Sequence, residues 1–142
     1  MSDEKFDAII VGAGVAGCTA AYVMAKAGLD VLVIERGDTA GSKNMTGGRL
    51  YAHSLEKIIP GFAQSAPVER KITKEKISFL TNDSAVTLDY QAPSRNANPE
   101  QASWTVLRHG FDSWLMEQAE AVGAQFITGV RVDALIHQQG RV

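Results

Sequence analysis

The chain has 142 residues, with 16 acidic and 14 basic side chains and a formal charge of −2. That length suits one ordinary domain, and 45% hydrophobic with 21% charged residues is a globular rather than a disordered composition. The charge balance excludes the basic footprint of a nucleic-acid binder and the polybasic patch of a lipid-surface binder. A single cysteine, Cys18, excludes a disulfide framework and a cysteine-ligated zinc or iron–sulfur centre within these residues. The N-terminus, Met1-Ser2-Asp3-Glu4-Lys5, is acidic and has no apolar leader, so the expected compartment is the reducing cytoplasm.

Ala8-Ile9-Ile10-Val11 is a short apolar run, the pattern of a strand covered on both faces. A glycine turn follows, then a helix expected from about Val15 to Ala27, with Val15, Cys18, Tyr22 and Ala25 at three- and four-residue spacing. Val31 to Ile34 is a second strand of the same kind, so the two should be parallel with a right-handed crossover. Ala8 to Ala25 is also an uncharged stretch of membrane-span length, but Gly12, Gly14 and Gly17 interrupt it, and strand–turn–helix accounts for it better.

Arg36 to Arg49 carries Gly37, Gly41, Gly47 and Gly48 without an apolar period and reads as a loop. Ser54 to Ile59 reads as a short helix ended by Pro60-Gly61, and Glu69 to Lys76 as a solvated charged segment. Lys76 to Leu80 and Ala85 to Tyr90 alternate around Asn82-Asp83-Ser84, which predicts an antiparallel hairpin. Gln91 to Ala102, with Pro93 and Pro99, reads as a surface loop, and Trp104 to Leu107 as a strand. Phe111, Leu115, Ala119 and Val122 predict a helix from about Asp112 to a stop at Gly123. Phe126-Ile127 and Val130 to Ile136 are the last expected strands before Gln138-Gln139-Gly140. Arg141-Val142 reads as the start of a returning strand, so the chain is expected to be the N-terminal part of a longer protein.

Gly12-Ala13-Gly14-Val15-Ala16-Gly17 fits the GxGxxG pattern between a strand and a helix, and Glu35 closes the next strand 23 residues after Gly12. Gly12 permits the tight turn, Gly14 lets a diphosphate approach the backbone, and Gly17, with Ala20 and Ala21, brings helix and sheet together. The helix N-terminus offers unpaired N–H groups to the diphosphate. Glu35 would accept from the ribose hydroxyls, and its charge disfavours a 2′-phosphate and hence NADP. After Glu35 the chain enters a glycine loop and an antiparallel hairpin rather than a second βα unit, which suits FAD better than NAD.

Residues Phe6–Gly37, Gly41–Phe62 and Val106–Ile136 resemble the FixC group of flavoproteins, relatives of electron-transfer flavoprotein:quinone oxidoreductase and of geranylgeranyl reductases. The resemblance covers nearly the whole chain, least across Gln91–Ala102. It is most specific at Thr46-Gly47-Gly48-Arg49-Leu50-Tyr51-Ala52-His53. It implies an α/β fold with a Rossmann-like FAD-binding βαβ unit, glutathione-reductase-like, truncated and carrying an inserted antiparallel hairpin. Residues 1–142 would be the N-terminal part of the FAD-binding domain, with about 60–107 the start of an inserted substrate-domain segment. The resemblance assigns the FAD diphosphate and ribose to Val11, Gly12, Ala13, Gly14, Val15, Ala16, Gly17 and Glu35. It brings Arg36, Gly48 and Arg49 toward the FAD, Arg108 toward the pyrophosphate and the Val132 backbone toward the adenine.

The implied activity is electron transfer through FAD from an electron-transfer flavoprotein to a quinone or a ferredoxin-like acceptor. The implied setting is the cytoplasm or the periphery of the inner membrane. The alternatives are an FAD-dependent reductase or hydroxylase of an isoprenoid or aromatic substrate, and a non-catalytic fragment. Family members are about three times this size on the usual domain scale, and the late Asp-bearing glycine motif of the family is absent from these residues. Cys18 is expected to be a packing residue, and Trp104 and Trp114 core anchors. His53, His109 and His137 lack metal-ligand spacing, although the resemblance leaves His53 a place beside the flavin. Asn44-Met45-Thr46 is a sequon by coincidence. No Ser–His–Asp order or paired-carboxylate site is visible, as expected where a flavin supplies the redox chemistry.

Overall fold

Two four-residue apolar runs separated by a small-residue helix set the first architecture. The structure, a computed structural model, describes residues 5–137. The turn expected at Gln138-Gln139-Gly140 and the strand start at Arg141-Val142 lie outside the described residues. The elements run β1 (Ala8–Val11), α1 (Val15–Lys26), β2 (Val31–Ile34), β3 (Gly47–Tyr51), α2 (Ala52–Ile58), β4 (Val68–Lys71), β5 (Lys74–Leu80), β6 (Ala85–Gln91), α3 (Pro93–Ala97), β7 (Ser103–Leu107), α4 (Arg108–Ala121) and β8 (Gln125–Ile127). They form two units, one from the chain up to Thr46 and from Arg108 onward, the other Gly47–Leu107.

The first unit is a parallel sheet in the order β1-β2-β8, with Ala8 opposite Val31, Val11 opposite Ile34, and Ile34 opposite Ile127. Helix α1 packs on α4, and Cys18, Ala21, Tyr22 and Ala25 join Val31, Val33, Phe111, Leu115 and Ala119 in the core. Each fully buried Val or Leu there contributes about 1.5–3 kcal/mol. The Phe111 and Trp114 rings meet with centroids 5.7 Å apart, so Trp114 is the expected core anchor. Trp104, in the other unit, is only half-buried, with the Lys71 ammonium 5.7 Å from its ring centroid. No helix of the described residues is long and apolar enough to cross a membrane.

Three expectations for this unit are corrected. Strand β1 is covered on one face: Ile10 faces α1, but Ile9 and Val11 are more than half exposed along an open groove that Leu135 and Ile136 also line. Val130 to Ile136 is not a strand, since Gly129 turns at φ +73° and the next donors go to the bend after β2, Gly129 N to Gly37 O at 2.8 Å and Val130 N to Glu35 O at 3.0 Å. Helix α4 begins at Arg108 rather than near Asp112, because its first turn holds an Arg108–Asp112 ion pair instead of an apolar face.

The second unit contains the antiparallel sheet β3-β7-β4 and the hairpin β5-β6. Arg36 to Thr46 is irregular as expected, but β3 starts at Gly47, inside the anticipated loop. Its partner, β7, lies more than fifty residues away, and two leading glycines give no strand signal. The segment Glu69 to Lys76 is likewise not simply solvated: β4 pairs with β7 through an irregularity between Val68 and Arg70, and charged side chains mark it as an edge strand. Within Gln91–Ala102 two prolines open short helical turns, α3 and a 3-10 turn at Pro99–Gln101. The hairpin matches expectation, in register from Lys74–Gln91 to Leu80–Ala85, and Ile77, Phe79, Val86 and Leu88 share one exposed face.

Candidate functional site: the glycine loop and Glu35

The loop after β1 is shaped by main-chain contacts that no side chain could replace. Gly12 has φ +100°, a left-handed conformation that glycine alone adopts freely, and its N–H donates to Ile34 O at 2.8 Å. A Cβ on Gly17 would stand 2.0 Å from Gly12 O and 3.3 Å from Ile10 Cγ2, so this glycine lets α1 lie against the turn and β1. Ala21 is buried in that packing, whereas Ala20 is exposed, because it lies about 100° around the helix from Ala21 and outside the buried arc of Cys18, Ala21, Tyr22 and Ala25. Gly14 precedes α1 in extended conformation without a capping side chain, and the first helical bond runs from Cys18 N to Gly14 O at 2.9 Å. The amides of Val15, Ala16 and Gly17 therefore lie ahead of the helical hydrogen-bond pattern, at the positive end of the helix.

Glu35 ties the two crossover loops together. Its Oε2 accepts from Ala13 N at 2.8 Å and its Oε1 from Gly37 N at 2.7 Å. A carboxylate has about four acceptor positions, so two backbone bonds orient it and leave capacity for a ligand hydroxyl. A Cβ on Gly37 would lie 2.5 Å from Ser42 Oγ, which explains a glycine at that bend.

Beside these groups lies a cleft of about 310 Å3 that brings together Val11, Gly12, Glu35, Arg36 and Val132, five residues expected from the sequence, with Arg131 at its rim. Arg108 belongs to the same unit, its Nη2 3.9 Å from the place a Gly14 Cβ would occupy. The Asp112 carboxylate, through its hydrogen bonds, holds the Arg108 guanidinium even more firmly protonated than usual. Gly48 and Arg49 lie on β3, in the second unit. There the Arg49 guanidinium pairs with both oxygens of Glu75 at 2.7 Å, donates to Ser103 Oγ at 3.1 Å and stacks 4.4 Å from the Tyr51 ring centroid. His53 is an exposed residue of α2 whose Nε2 lies 3.0 Å from Ser54 Oγ.

Cys18 is fully buried and donates to Ala13 O at 3.3 Å. Burial, followed by the nearby charges of Asp112, Glu35 and Glu120, pushes its thiol up to about 12. Gly37, Asn44 and Asp112 join this corner of the fold without a sequence signal that marks them as site residues. Asp112 was legible only as the i+4 partner of Arg108, once the helix is known to begin there.

A model of the FAD-dependent oxidoreductase family, DAO, matches residues 7–94. The chain belongs to the FAD-dependent oxidoreductases. Among members of this kind, it is 72% identical over its whole length to the probable electron transfer flavoprotein-quinone oxidoreductase YdiS of Escherichia coli strain K12. It is 63% identical, again over its whole length, to protein FixC of Escherichia coli O157:H7. The chain spans about a third of the length of these curated relatives, 33% of each.

A geranylgeranyl bacteriochlorophyll reductase-like protein from Thermoplasma acidophilum has the same fold, with a TM-score of 0.75 at 24% identity over 96% of this chain and 33% of that one. The Rossmann-like FAD-domain architecture expected from the sequence is thus the observed one, and FAD is the cofactor of the family. The residues present fit it: Gly12 and Gly14 carry no Cβ at the turn, the opening amides of α1 precede its first helical hydrogen bond, and Glu35 is oriented with acceptor capacity left over.

Proposed function

We propose that the protein is an oxidoreductase of the electron-transfer flavoprotein:quinone type, taking electrons from an electron-transfer flavoprotein and delivering them to a quinone, with a ferredoxin-like protein as a further candidate partner. The observation that carries this reading is the 72% identity to YdiS over an alignment that spans the whole chain. When bound, FAD supplies a centre that exchanges electrons singly or in pairs.

This chain's own residues have binding work to do. The amides from Gly14 to Gly17 would receive the diphosphate, with Val11, Ala13, Val15 and Ala16 shaping the loop, and Arg108 would approach the diphosphate from α4. Glu35 would accept from the ribose, and the Val132 backbone would meet the adenine along the cleft. Arg36, Gly48 and Arg49 are assigned by family resemblance to the neighbourhood of the FAD. Residues 1–142 would form the N-terminal part of the FAD-binding domain, and about 60–107 the beginning of a substrate-domain insertion.

The deciding experiment is an anaerobic assay of the protein at its natural length with reduced electron-transfer flavoprotein and a soluble ubiquinone analogue. Quinone-dependent oxidation of the donor is expected, lost in Gly14→Val together with bound flavin. Reduction of an isoprenoid alkene or hydroxylation of an aromatic ring, with no turnover of quinone, would overturn the assignment.

A further inference from the structure

Asp112 is a carboxylate with 0% exposure, and no ligand can reach it. A buried charge persists only where partners satisfy it. Here Arg108 does so side-on, Nε to Oδ1 at 2.7 Å and Nη2 to Oδ2 at 2.8 Å, and Asn44 Nδ2 donates to Oδ2 at 2.9 Å. A guanidinium has five N–H donors. The fork uses two, leaving three, including both on Nη1.

The Arg108 side chain keeps 32% exposure, and its Nη2 lies beside Gly14, at the start of a helix whose first turn has no acidic residue. Guanidinium and helix end are both positive, so an anion beside Gly14 is favoured by both. The loop before β3 is fitted to the same carboxylate. Asn44 N donates to Gly41 O at 2.8 Å, and a Cβ on Gly41 would stand 2.8 Å from Asp112 Cβ and 2.9 Å from Arg108 O.

We propose that Asp112, fixed by Asn44, is the positioning residue that aims Arg108 at the diphosphate of the bound dinucleotide. The inference rests on the reading of the glycine loop as the FAD diphosphate site. A long arginine side chain loses rotamer freedom when it grips a ligand, and a fork formed beforehand removes that loss from the binding step. The pairing of loop and helix on one carboxylate also gives Asn44, otherwise only the first residue of a sequon, a defined role.

The test is a double-mutant cycle read by FAD affinity, from quenching of flavin fluorescence on titrating the apoprotein at its natural length, and by the 31P shifts of the bound diphosphate. Arg108→Gln and Asp112→Asn should each weaken FAD binding about tenfold or more, on the scale that outer partners of ligand-holding groups carry at metal sites. Each should also move the 31P resonances. The double variant should bind FAD no more weakly than Arg108→Gln alone. Should Asp112→Asn fail to fold, Asn44→Ala serves, with a smaller loss that vanishes in the Arg108→Gln background. Losses that multiply in the double variant, or wild-type affinity and 31P shifts in Asp112→Asn beside a weakened Arg108→Gln, would overturn the positioning role. Unchanged FAD affinity in both Arg108→Gln and Gly14→Val is a separate result, which removes the diphosphate from this loop and the proposal with it.

Discussion

The two units use opposite means to hold their strands. In the first, small residues let the main chain close on itself: Gly17 seats α1 on the Gly12 carbonyl, Gly41 seats a loop on the first turn of α4, and β2 has Val31 and Val33 out of solvent. In the second, the hairpin β5-β6 holds by its ladder and by side chains paired across it, such as Ser78 Oγ with Thr87 Oγ1 at 2.9 Å and Lys74 with Asp89 at 2.9 Å. The first arrangement fails when an atom is added, and the second barely registers when one is removed.

That contrast can be broken at several points. Gly17→Val should have the largest effect, about 3 kcal/mol or more of destabilisation with loss of bound flavin, because the clash is with backbone that cannot yield. Urea unfolding and the flavin-to-protein absorbance ratio measure both. Leu115→Ala, at 1% exposure in α4, should cost about 2–5 kcal/mol. Leu88→Ala, at 60% exposure in β6, should cost less than about 1 kcal/mol by the same unfolding measurement. Equal losses at Leu88 and Leu115 would mean that the hairpin face is covered in the protein under test and would erase the distinction.

How much of this was legible in the sequence divides along the same line. Strands β1 and β2 were read to the residue, because a short apolar run beside a glycine turn has few alternatives. The hairpin was legible through its alternation around Asn82-Asp83-Ser84. Strands β3 and β4 were not, since both acquire their structure from β7, a partner remote in sequence, while their own residues are glycines and charges. At the site, Gly12, Gly14, Gly17 and Glu35 stood out by spacing. Asp112 did not, because burial of a carboxylate depends on where Asn44 and Arg108 fall in space.

Smaller effects sharpen the comparison through pH. The Cys18 thiol is raised from 9.0 to about 12 in the folded chain, so the folded state holds its proton more tightly than the unfolded state. Its contribution to stability is complete below about pH 9 and declines as the pH rises toward 12. Alkaline unfolding should therefore be shallower over that range in Cys18→Ala, and the wild-type thiol should resist alkylation at pH 8 until the chain unfolds.

In the second unit the Arg49 guanidinium, chiefly by hydrogen bonding, holds Glu75 below the usual carboxylate range. The stability from this pair is present above the ordinary glutamate range, about pH 4.3, and is lost as the pH falls through the lowered value. Glu75→Gln should flatten that acid limb. The change should be the smallest of the set, because the pair is solvent-exposed and screened by salt.

With Glu35 as the proposed ribose acceptor, nucleotide preference is hard to edit. One of its oxygens secures Ala13 and the other Gly37, so replacing it with a small or basic residue, the usual route toward a phosphorylated ribose, unties two crossover segments in a single stroke. A redesign would have to furnish substitute anchors at both ends before any new specificity could show. On that proposal, coenzyme discrimination and the architecture of this corner are inherited together.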